Sequence, residues 1–175
     1  FFLLKTTSSI SEDTKIKIGV LAPLSGENSA LGKQIVSSIR MALIDINDDK
    51  IEIYPRDTKS DPNIALRSAL ELEKLGITLV IGPVFYDNLL HLNEVESITF
   101  LSLTNKTLDL PKNVISSGIN STSQLNTINK FLKSNNIKKT IFLIPNLNYD
   151  LEIKKGIKDS KLKSFKKYNY DIEPT

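Results

Sequence analysis

Cysteine is absent from this chain of 175 residues, and histidine occurs once. Without cysteine there can be no disulfide, no thiolate metal ligand and no cysteine nucleophile. His91, in the leucine-rich segment 89–92, is read as a surface or half-buried helix position, with a general base as the alternative. Because zinc sites and Ser-His-Asp triads need more ligands and bases than this, we predict no metal site and no catalytic residue.

Two further features are missing: phosphate-binding loops and a strong charge of one sign. Neither G-x-G-x-x-G nor a Walker loop occurs, so no nucleotide or other cofactor is predicted. The net charge is only +3. Lysines cluster near the end of the chain, and they indicate either a solvated helix face or a surface for an acidic partner such as anionic lipid. The clustered residues are Lys154, Lys155, Lys158, Lys161, Lys163, Lys166 and Lys167. No nucleic-acid partner is predicted.

Residues 15–34 have the sequence of a strand, a turn and the start of a helix. Ile16, Ile18, Val20 and Leu21 suit a strand that is buried on both faces, and Pro23, Ser25 and Gly26 end it. Apolar residues then recur at helical spacing from Leu31 onward, after an Asn28-Ser29 pair suited to an N-cap. This segment predicts the opening of a βαβ unit.

The alternation of strands and helices continues along the chain. Asp61 and Pro62 predict a helix start, and Gly76 predicts its end. Further strands are predicted at 51–58, 78–83, 98–103, 114–117 and 140–145. Further helices are predicted at 85–95, after a capping box at Ser121–Gln124, and at 149–167 as a basic helix. Such alternation predicts an α/β fold with a mostly parallel sheet flanked by helices.

Four segments together carry a resemblance to a known family: GVLAPLSGENSALGKQI, PRDT, LVIGPVF and VISSGINSTSQ. They resemble the type I periplasmic binding proteins, and most of all the penicillin-binding protein activator lipoproteins. The resemblance implies two similar α/β lobes with a binding cleft between them. We therefore expect a first lobe at 15–118 and the truncated start of a second lobe at 119–175. Residues 1–14 are read as an export-segment remnant or a flexible linker.

Candidate cleft residues lie in the loops that leave the predicted strands, because open α/β sheets bind ligands there. They are Ser25, Gly26, Pro83, Val84, Phe85, Thr104, Asn105 and Gly118. Local alternatives remain open. Ser25 and Gly26 can simply form the turn, Thr104 and Asn105 can cap a loop, and Phe85 can pack under the sheet with Tyr86.

The turn at 82–88, GPVFYDN, bears on the class of ligand. The amino-acid receptors that the chain resembles usually carry Ser and Thr here, since a bound carboxylate needs donors. Bulky apolar groups and Asp87 disfavour such a ligand. The resemblance therefore implies a non-catalytic periplasmic protein that activates a peptidoglycan synthase. The alternatives are a solute-binding component of an ABC transporter, with a small molecule in the cleft, and a sensor lobe.

The resemblance also bears on membrane attachment. Activator-family members are usually lipoproteins anchored through a cysteine near the start, and this sequence has none. Either an anchor lies upstream of these residues or the protein has none, so attachment to the outer membrane is left open.

Overall fold

The computed structural model describes residues 15–146, 150–160, 162 and 165–171, and it contains two parallel sheets. The predicted linker at 1–14 and Tyr149 lie outside the described residues. The first sheet and its helices are formed by β1 (Ile16–Ala22), α1 (Ser29–Ile46), β2 (Ile51–Asp57), α2 (Pro62–Lys74), β3 (Leu79–Ile81), β4 (Thr99–Ser102) and β5 (Val114–Ser116). The second sheet and its helices are formed by α3 (Ser121–Ser134), β6 (Thr140–Pro145), α4 (Asp150–Asp159) and β7 (Phe165–Tyr170).

The first sheet has the strand order β2-β1-β3-β4-β5, and every neighbouring pair is parallel. The β1–β2 ladder runs in register from Ile16 opposite Ile51 to Ala22 opposite Asp57. The predicted α/β fold with a mostly parallel sheet is confirmed. Since all five strands point the same way, their last residues meet at one edge, which we call the carboxyl edge.

Apolar residues cover both faces of the first sheet. On one face, Val20 and Ala22 pack with Val36 of α1. On the other, Leu21 joins a larger core that includes Leu72 of α2 and Phe100 of β4. Successive strand residues point to opposite faces, so a single strand supplies both cores. The other end of β1 is open, with Ile16 53% exposed.

Two helix starts show how local signals act in the structure. Asp61 caps α2, its Oδ1 accepting hydrogen bonds from the main-chain N–H groups of Asn63 at 2.8 Å and Ile64 at 2.9 Å. Pro62 is the first helical residue, as predicted. Asn28 stands at the N-cap position of α1, but its side chain makes no capping bond and donates instead to Ser60 Oγ at 3.1 Å.

The end of α2 is also as predicted. Leu75 is the C-cap, and Gly76 follows with φ +73°, the left-handed conformation that glycine adopts most readily. The main-chain N–H of Gly76 donates to the carbonyl of Glu73. The chain is thereby turned from the helix toward β3.

The predicted helix at 85–95 is wrong. Two short 3-10 turns, Tyr86–Leu89 and Leu92–Glu94, occupy this segment. The Asn113 side-chain amide donates to the carbonyls of Leu92, Val95 and Ile98 at 2.8, 3.0 and 3.3 Å. The carbonyls of Leu92 and Val95 also accept the N–H groups of Val95 and Ile98, three residues on, so no α-helical ladder forms. Leu92 and Val95 are nevertheless buried in the core, as a helix face would be.

The predicted basic helix at 149–167 is wrong in its second half. The helix α4 ends at Asp159, and residues 165–170 form β7, which pairs with β6 in parallel from Phe165 opposite Thr140 to Tyr170 opposite Pro145. Phe165, Tyr168 and Tyr170 are aromatic residues, which favour strands. The partner strand β6 supplies hydrogen bonds for their main-chain groups. β6 therefore has a partner strand that the sequence reading did not supply.

The predicted capping box at Ser121–Gln124 is wrong by one residue. Asn120 is the N-cap of α3, and its side chain accepts a hydrogen bond from Ser123 N at 3.0 Å. Asn120 belongs to the residues that favour this position as strongly as Ser does.

Both helices of the second sheet pack against the same face of it. Leu125, Ile144, Ile157 and Leu162 form the buried core there. Ile141 and Leu143, which point to the opposite face, are 61% and 69% exposed. No helix within the described residues is long and apolar enough to cross a membrane.

Candidate functional site

The carboxylate of Asp57, at the end of β2, organises the loop that follows β1. Its Oδ1 accepts hydrogen bonds from the N–H groups of Leu24 at 2.8 Å, Ser25 at 3.3 Å and Lys59 at 2.9 Å. Its Oδ2 accepts the hydroxyl of Ser25 at 2.5 Å. Gly26, with φ +79°, continues the turn in the left-handed region. The anion that Ser25 binds is therefore a side chain of the same protein.

The pKa of Asp57 lies below its ordinary value. Partial burial alone would raise it, but the hydrogen bonds from the Ser25 hydroxyl and from the N–H groups of Lys59, Leu24 and Ser25 favour the charged form and prevail. The Asp57 carboxylate is thus ionised at neutral pH and stabilises the turn in that state.

The loop after β3 is joined to β4 through the carbonyl of Pro83. That carbonyl accepts the Ser102 hydroxyl at 2.9 Å and Leu103 N at 3.0 Å, and the Gly82-Pro83 peptide is cis. Val84 and Phe85, two of the predicted cleft residues, are half-buried. Tyr86 packs against the larger core, as the local alternative held, and Lys106 Nζ lies 4.0 Å from the centre of its ring.

Hydroxyl groups after β4 and β5 are also paired within the chain. Ser116 Oγ donates to Thr104 O, and Ser117 Oγ donates to Ser102 O, each at 2.8 Å. Thr104 is buried, and its Oγ1 accepts Lys106 N at 3.3 Å. A Cβ placed on Gly118 would lie 2.4 Å from Thr104 O, so the two predicted residues Thr104 and Gly118 are in close main-chain contact.

A cavity of about 400 Å³ opens where the carboxyl edge meets the second sheet's helices. It is lined by Asn105, Lys106, Ile119, Ser121, Gln124, Glu152 and Ile153. Of the eight predicted cleft residues, Asn105 lines this cavity. The other seven lie in the strand-end loops just described, outside its lining.

Glu152 of α4 is the residue at this site that sequence reasoning missed. It is 9% exposed, and its Oε1 accepts the N–H groups of Thr107 and Leu108, each at 2.8 Å. Its Oε2 accepts the Thr107 hydroxyl at 2.8 Å. An acidic residue among lysines was the available signal, but nothing local in the sequence indicated a partner in the loop after β4.

The pKa of Glu152 is also lowered. Burial opposes ionisation, and it is outweighed by hydrogen bonds from the Thr107 N–H and hydroxyl and from the Leu108 N–H, with the charge of Lys155 adding to them. Glu152 is therefore an ionised carboxylate enclosed by donors of another part of the chain.

The single histidine and the acidic residues do not form a catalytic or metal-binding arrangement among the described residues. His91 Nδ1 lies 3.6 Å from Glu94 Oε1, and the side chain of His91 is half-buried while that of Glu94 is exposed. Among the described residues, no cluster of three or more His, Asp or Glu could hold a metal ion. A larger open cavity of about 790 Å³ is lined by Asn93, Glu96 and residues 109–113, which precede β4 and β5. It lies at the amino edge of the sheet, away from the strand-end loops.

A parallel sheet whose carboxyl edge faces a second α/β unit across a cavity is the arrangement in which open α/β sheets bind ligands. The family model described as periplasmic binding protein matches residues 15–166. The chain belongs to that family, and the predicted type I periplasmic-binding fold is confirmed.

Solved structures with this fold include regulatory and solute-binding proteins. Full-length LpoA of Haemophilus influenzae gives a TM-score of 0.73 at 17% identity, over 90% of this chain and 30% of LpoA. A solute-binding protein of an ABC transporter from R. palustris, solved with 4-hydroxybenzoate, gives 0.59 at 17% identity, over 90% of this chain and 47% of that protein. These identities support a shared fold and nothing finer.

A curated relative is an uncharacterised protein of Methanocaldococcus jannaschii. It is 34% identical in an alignment of 87 residues, and the match covers 45% of this chain and 21% of that protein. The chain thus spans half or less of the length of each relative named here.

Proposed function

We propose that this chain is a non-catalytic periplasmic protein that regulates a peptidoglycan synthase. In this proposal residues 15–118 form a first lobe and residues 119–175 form the start of a second. The fold relatives named above are binding or regulatory proteins, which supports a role without chemistry. One solved relative, the C-domain of LpoA, is described as a regulator of PBP1A.

The observation that carries the proposal is the pairing of three serine hydroxyls at the carboxyl edge. Ser25 donates to Asp57, Ser102 to Pro83 O, and Ser117 to Ser102 O. A site for a free amino acid needs such donors for the ligand's carboxylate. Here the donors already serve main-chain and side-chain acceptors of the protein, so ligand binding would have to break those bonds.

The turn after β3 supports the same conclusion. Tyr86 packs on the core with Lys106 over its ring, and Asp87 is exposed beside it. A carboxylate brought to this turn would meet the negative charge of Asp87, which disfavours it. A protein partner, in contrast, can use the surface without displacing any of these contacts.

The second candidate is solute binding, and a specific observation favours it. The 400 Å³ cavity is within the range of small-molecule sites, and it lies between the two lobes. Asn105, Lys106, Ser121 and Gln124 could give a small polar ligand its hydrogen bonds. The two candidates therefore differ in whether this cavity takes a small molecule.

A synthase activity assay tests the proposal. A purified peptidoglycan synthase of the penicillin-binding class is assayed for glycan-strand synthesis while increasing amounts of the chain are added. We expect the rate of synthesis to rise and then to saturate. Lys106→Ala, at the cavity rim, should reduce the effect, whereas Lys133→Ala, exposed in the last turn of α3, should not. The solute-binding candidate would be favoured if the rate of synthesis stayed unchanged at high concentrations of the chain and the chain bound a small molecule in the micromolar range.

A further inference from the structure

A contact between the two lobes is made by one buried carboxylate. Glu152 on α4, in the second lobe, is bound by Thr107 and Leu108 in the loop between β4 and β5 of the first lobe. Both carboxylate oxygens accept hydrogen bonds, and each of the three bonds is 2.8 Å long. Lys155, one helical turn further along α4, donates to Thr107 Oγ1 at 3.4 Å. Four hydrogen bonds thus join α4 to this loop.

The first-lobe side of this contact has the form of an anion site. Consecutive main-chain N–H groups of Thr107 and Leu108 converge on one oxygen, and the Thr107 hydroxyl meets the other. Converging N–H groups of this kind favour a negative charge. Hydrogen bonds to an ionised acceptor are also roughly twice as strong as neutral ones. The occupant here is the protein's own Glu152.

None of the buried apolar clusters formed by the described residues spans the two lobes. Within the described residues, the first-lobe cores are built from residues up to Val114, and the second-lobe core is built from Leu125 onward. The main chain crosses between the lobes near Ile119, which is 75% exposed. Units joined in this way are expected to move relative to each other unless a specific contact holds them.

We propose that Glu152 is a latch that holds the two lobes together at the mouth of the 400 Å³ cavity. Glu152 lines that cavity, so releasing it from Thr107 and Leu108 widens the space between the lobes. The contact is made by residues of this chain on both sides. The inference uses the two lobes proposed above, and it holds for either candidate function.

Hydrogen exchange at the amides of Thr107 and Leu108 measures whether these groups stay bonded to Glu152. Glu152→Ala removes the acceptor, so the N–H groups of Thr107 and Leu108 should exchange roughly ten- to a hundred-fold faster, the range for losing hydrogen bonds to a charged group. Asp159→Ala removes an exposed carboxylate from the same helix and should leave both amides unchanged. Unchanged exchange at Thr107 and Leu108 in the Glu152 variant would overturn the proposal.

The distance between the lobes separates a latch from a local loop contact. Because the chain has no cysteine, Ser37→Cys on α1 and Asn126→Cys on α3, both exposed, give one label in each lobe. Glu152→Ala should lengthen or broaden the measured distance distribution between the two labels. Faster exchange at Thr107 with an unchanged distribution would mean that Glu152 merely orders the loop, and the latch would be rejected.

A second variant shows whether the effect of Glu152→Ala arises from the lost contact or from a folding defect in α4. Thr107→Val lies in the first lobe and removes the hydroxyl that meets Glu152 Oε2 while keeping the main-chain N–H. It should shift the inter-lobe distance in the same direction as Glu152→Ala, by a smaller amount. A Thr107→Val protein with the distance distribution of the unchanged chain would also contradict the latch.

Discussion

Replacing Asp57 should destabilise the first lobe by loosening the loops after β1 and β2 together. Its carboxylate accepts three main-chain N–H groups and the hydroxyl of Ser25. The carbonyl of Asp57 also accepts Ser68 Oγ at 3.2 Å, and a side-chain substitution leaves that bond in place. The loss of stability in an Asp57 variant therefore reports the contribution of the carboxylate alone.

The size of the loss follows from the exposure of the donors. A hydrogen bond to a charged group contributes about 1.5–3 kcal/mol when buried. Ser25 and Lys59 are exposed, so water replaces much of what they lose, whereas Leu24 N is partly buried. We expect Asp57→Ala to cost about 2–4 kcal/mol, and Asp57→Asn, which keeps an amide oxygen, about 1–2 kcal/mol.

Urea unfolding of both variants and of Asp45→Ala measures these values. Asp45 is an exposed carboxylate on α1, and its removal should change the free energy of unfolding by less than about 0.5 kcal/mol. An Asp57→Ala chain no less stable than the Asp45→Ala chain would refute the reasoning. A shift in the transition midpoint without a change in slope would show that stability alone has changed.

The pH dependence gives an independent check on Asp57. A carboxyl whose pKa is lowered by folding adds stability above its unfolded value, about 3.9, and loses it as the pH falls through the folded pKa. The stability gap between the unchanged chain and Asp57→Asn should therefore be full at pH 7 and shrink below about pH 4. A gap that stays constant down to pH 3 would mean that the charge of Asp57 contributes nothing.

Gly118→Ala should cost about 1–3 kcal/mol, because its Cβ would lie 2.4 Å from Thr104 O, whereas Ile119→Ala, at an exposed position, should cost less than about 0.5 kcal/mol in the same urea assay. Asn113→Ala should cost about 1–3 kcal/mol by removing the side-chain amide that donates to the carbonyls of Leu92, Val95 and Ile98, with exposed Asn93→Ala as the matched control; equal losses would mean that these hydrogen bonds do not stabilise the fold. Amides of β6 should exchange faster than those of β1, since one face of the second sheet is open, and equal protection would contradict a separate, less stable second lobe.

The features predicted correctly from the sequence are those that depend on nearby residues. The apolar strand at Ile16–Ala22, the Asp61-Pro62 helix start and the Gly76 helix end are all set within a few positions of themselves. A parallel sheet then follows from the alternation of strands and helices, because parallel strands need crossover connections. Local chemistry was sufficient to predict most of the first sheet.

The features that were missed depend on partners far along the chain. The 3-10 turns at 86–94 bond to Asn113, and β7 exists as a strand because β6 pairs with it. Glu152 is bound by Thr107, which lies 45 residues earlier in the chain. The leucines at 89–92 predicted a helix at 85–95, and apolar residues at helical spacing among the lysines predicted one at 149–167. Neither local pattern reveals the distant residues that decide the structure of these segments.

The sequence predicts a ligand or partner site in the strand-end loops, and that site stays a prediction. Ligand sites lie at the carboxyl edge of parallel sheets, and that rule placed Asn105 at the cavity. It could not distinguish Ser25, whose hydroxyl is taken by Asp57, from a residue free to bind a ligand. The cavity's other wall comes from α3 and α4, whose packing could not be inferred from the strands of the first lobe.

Calorimetric titration of one preparation with two kinds of ligand tests the central claim most directly. The chain is titrated with a purified peptidoglycan synthase, and separately with the common amino acids and 4-hydroxybenzoate. We predict saturable heat with the synthase and no heat with the small molecules, because the hydroxyls of Ser25, Ser102 and Ser117 are already paired. Micromolar binding of a small molecule without any heat from the synthase would contradict the account.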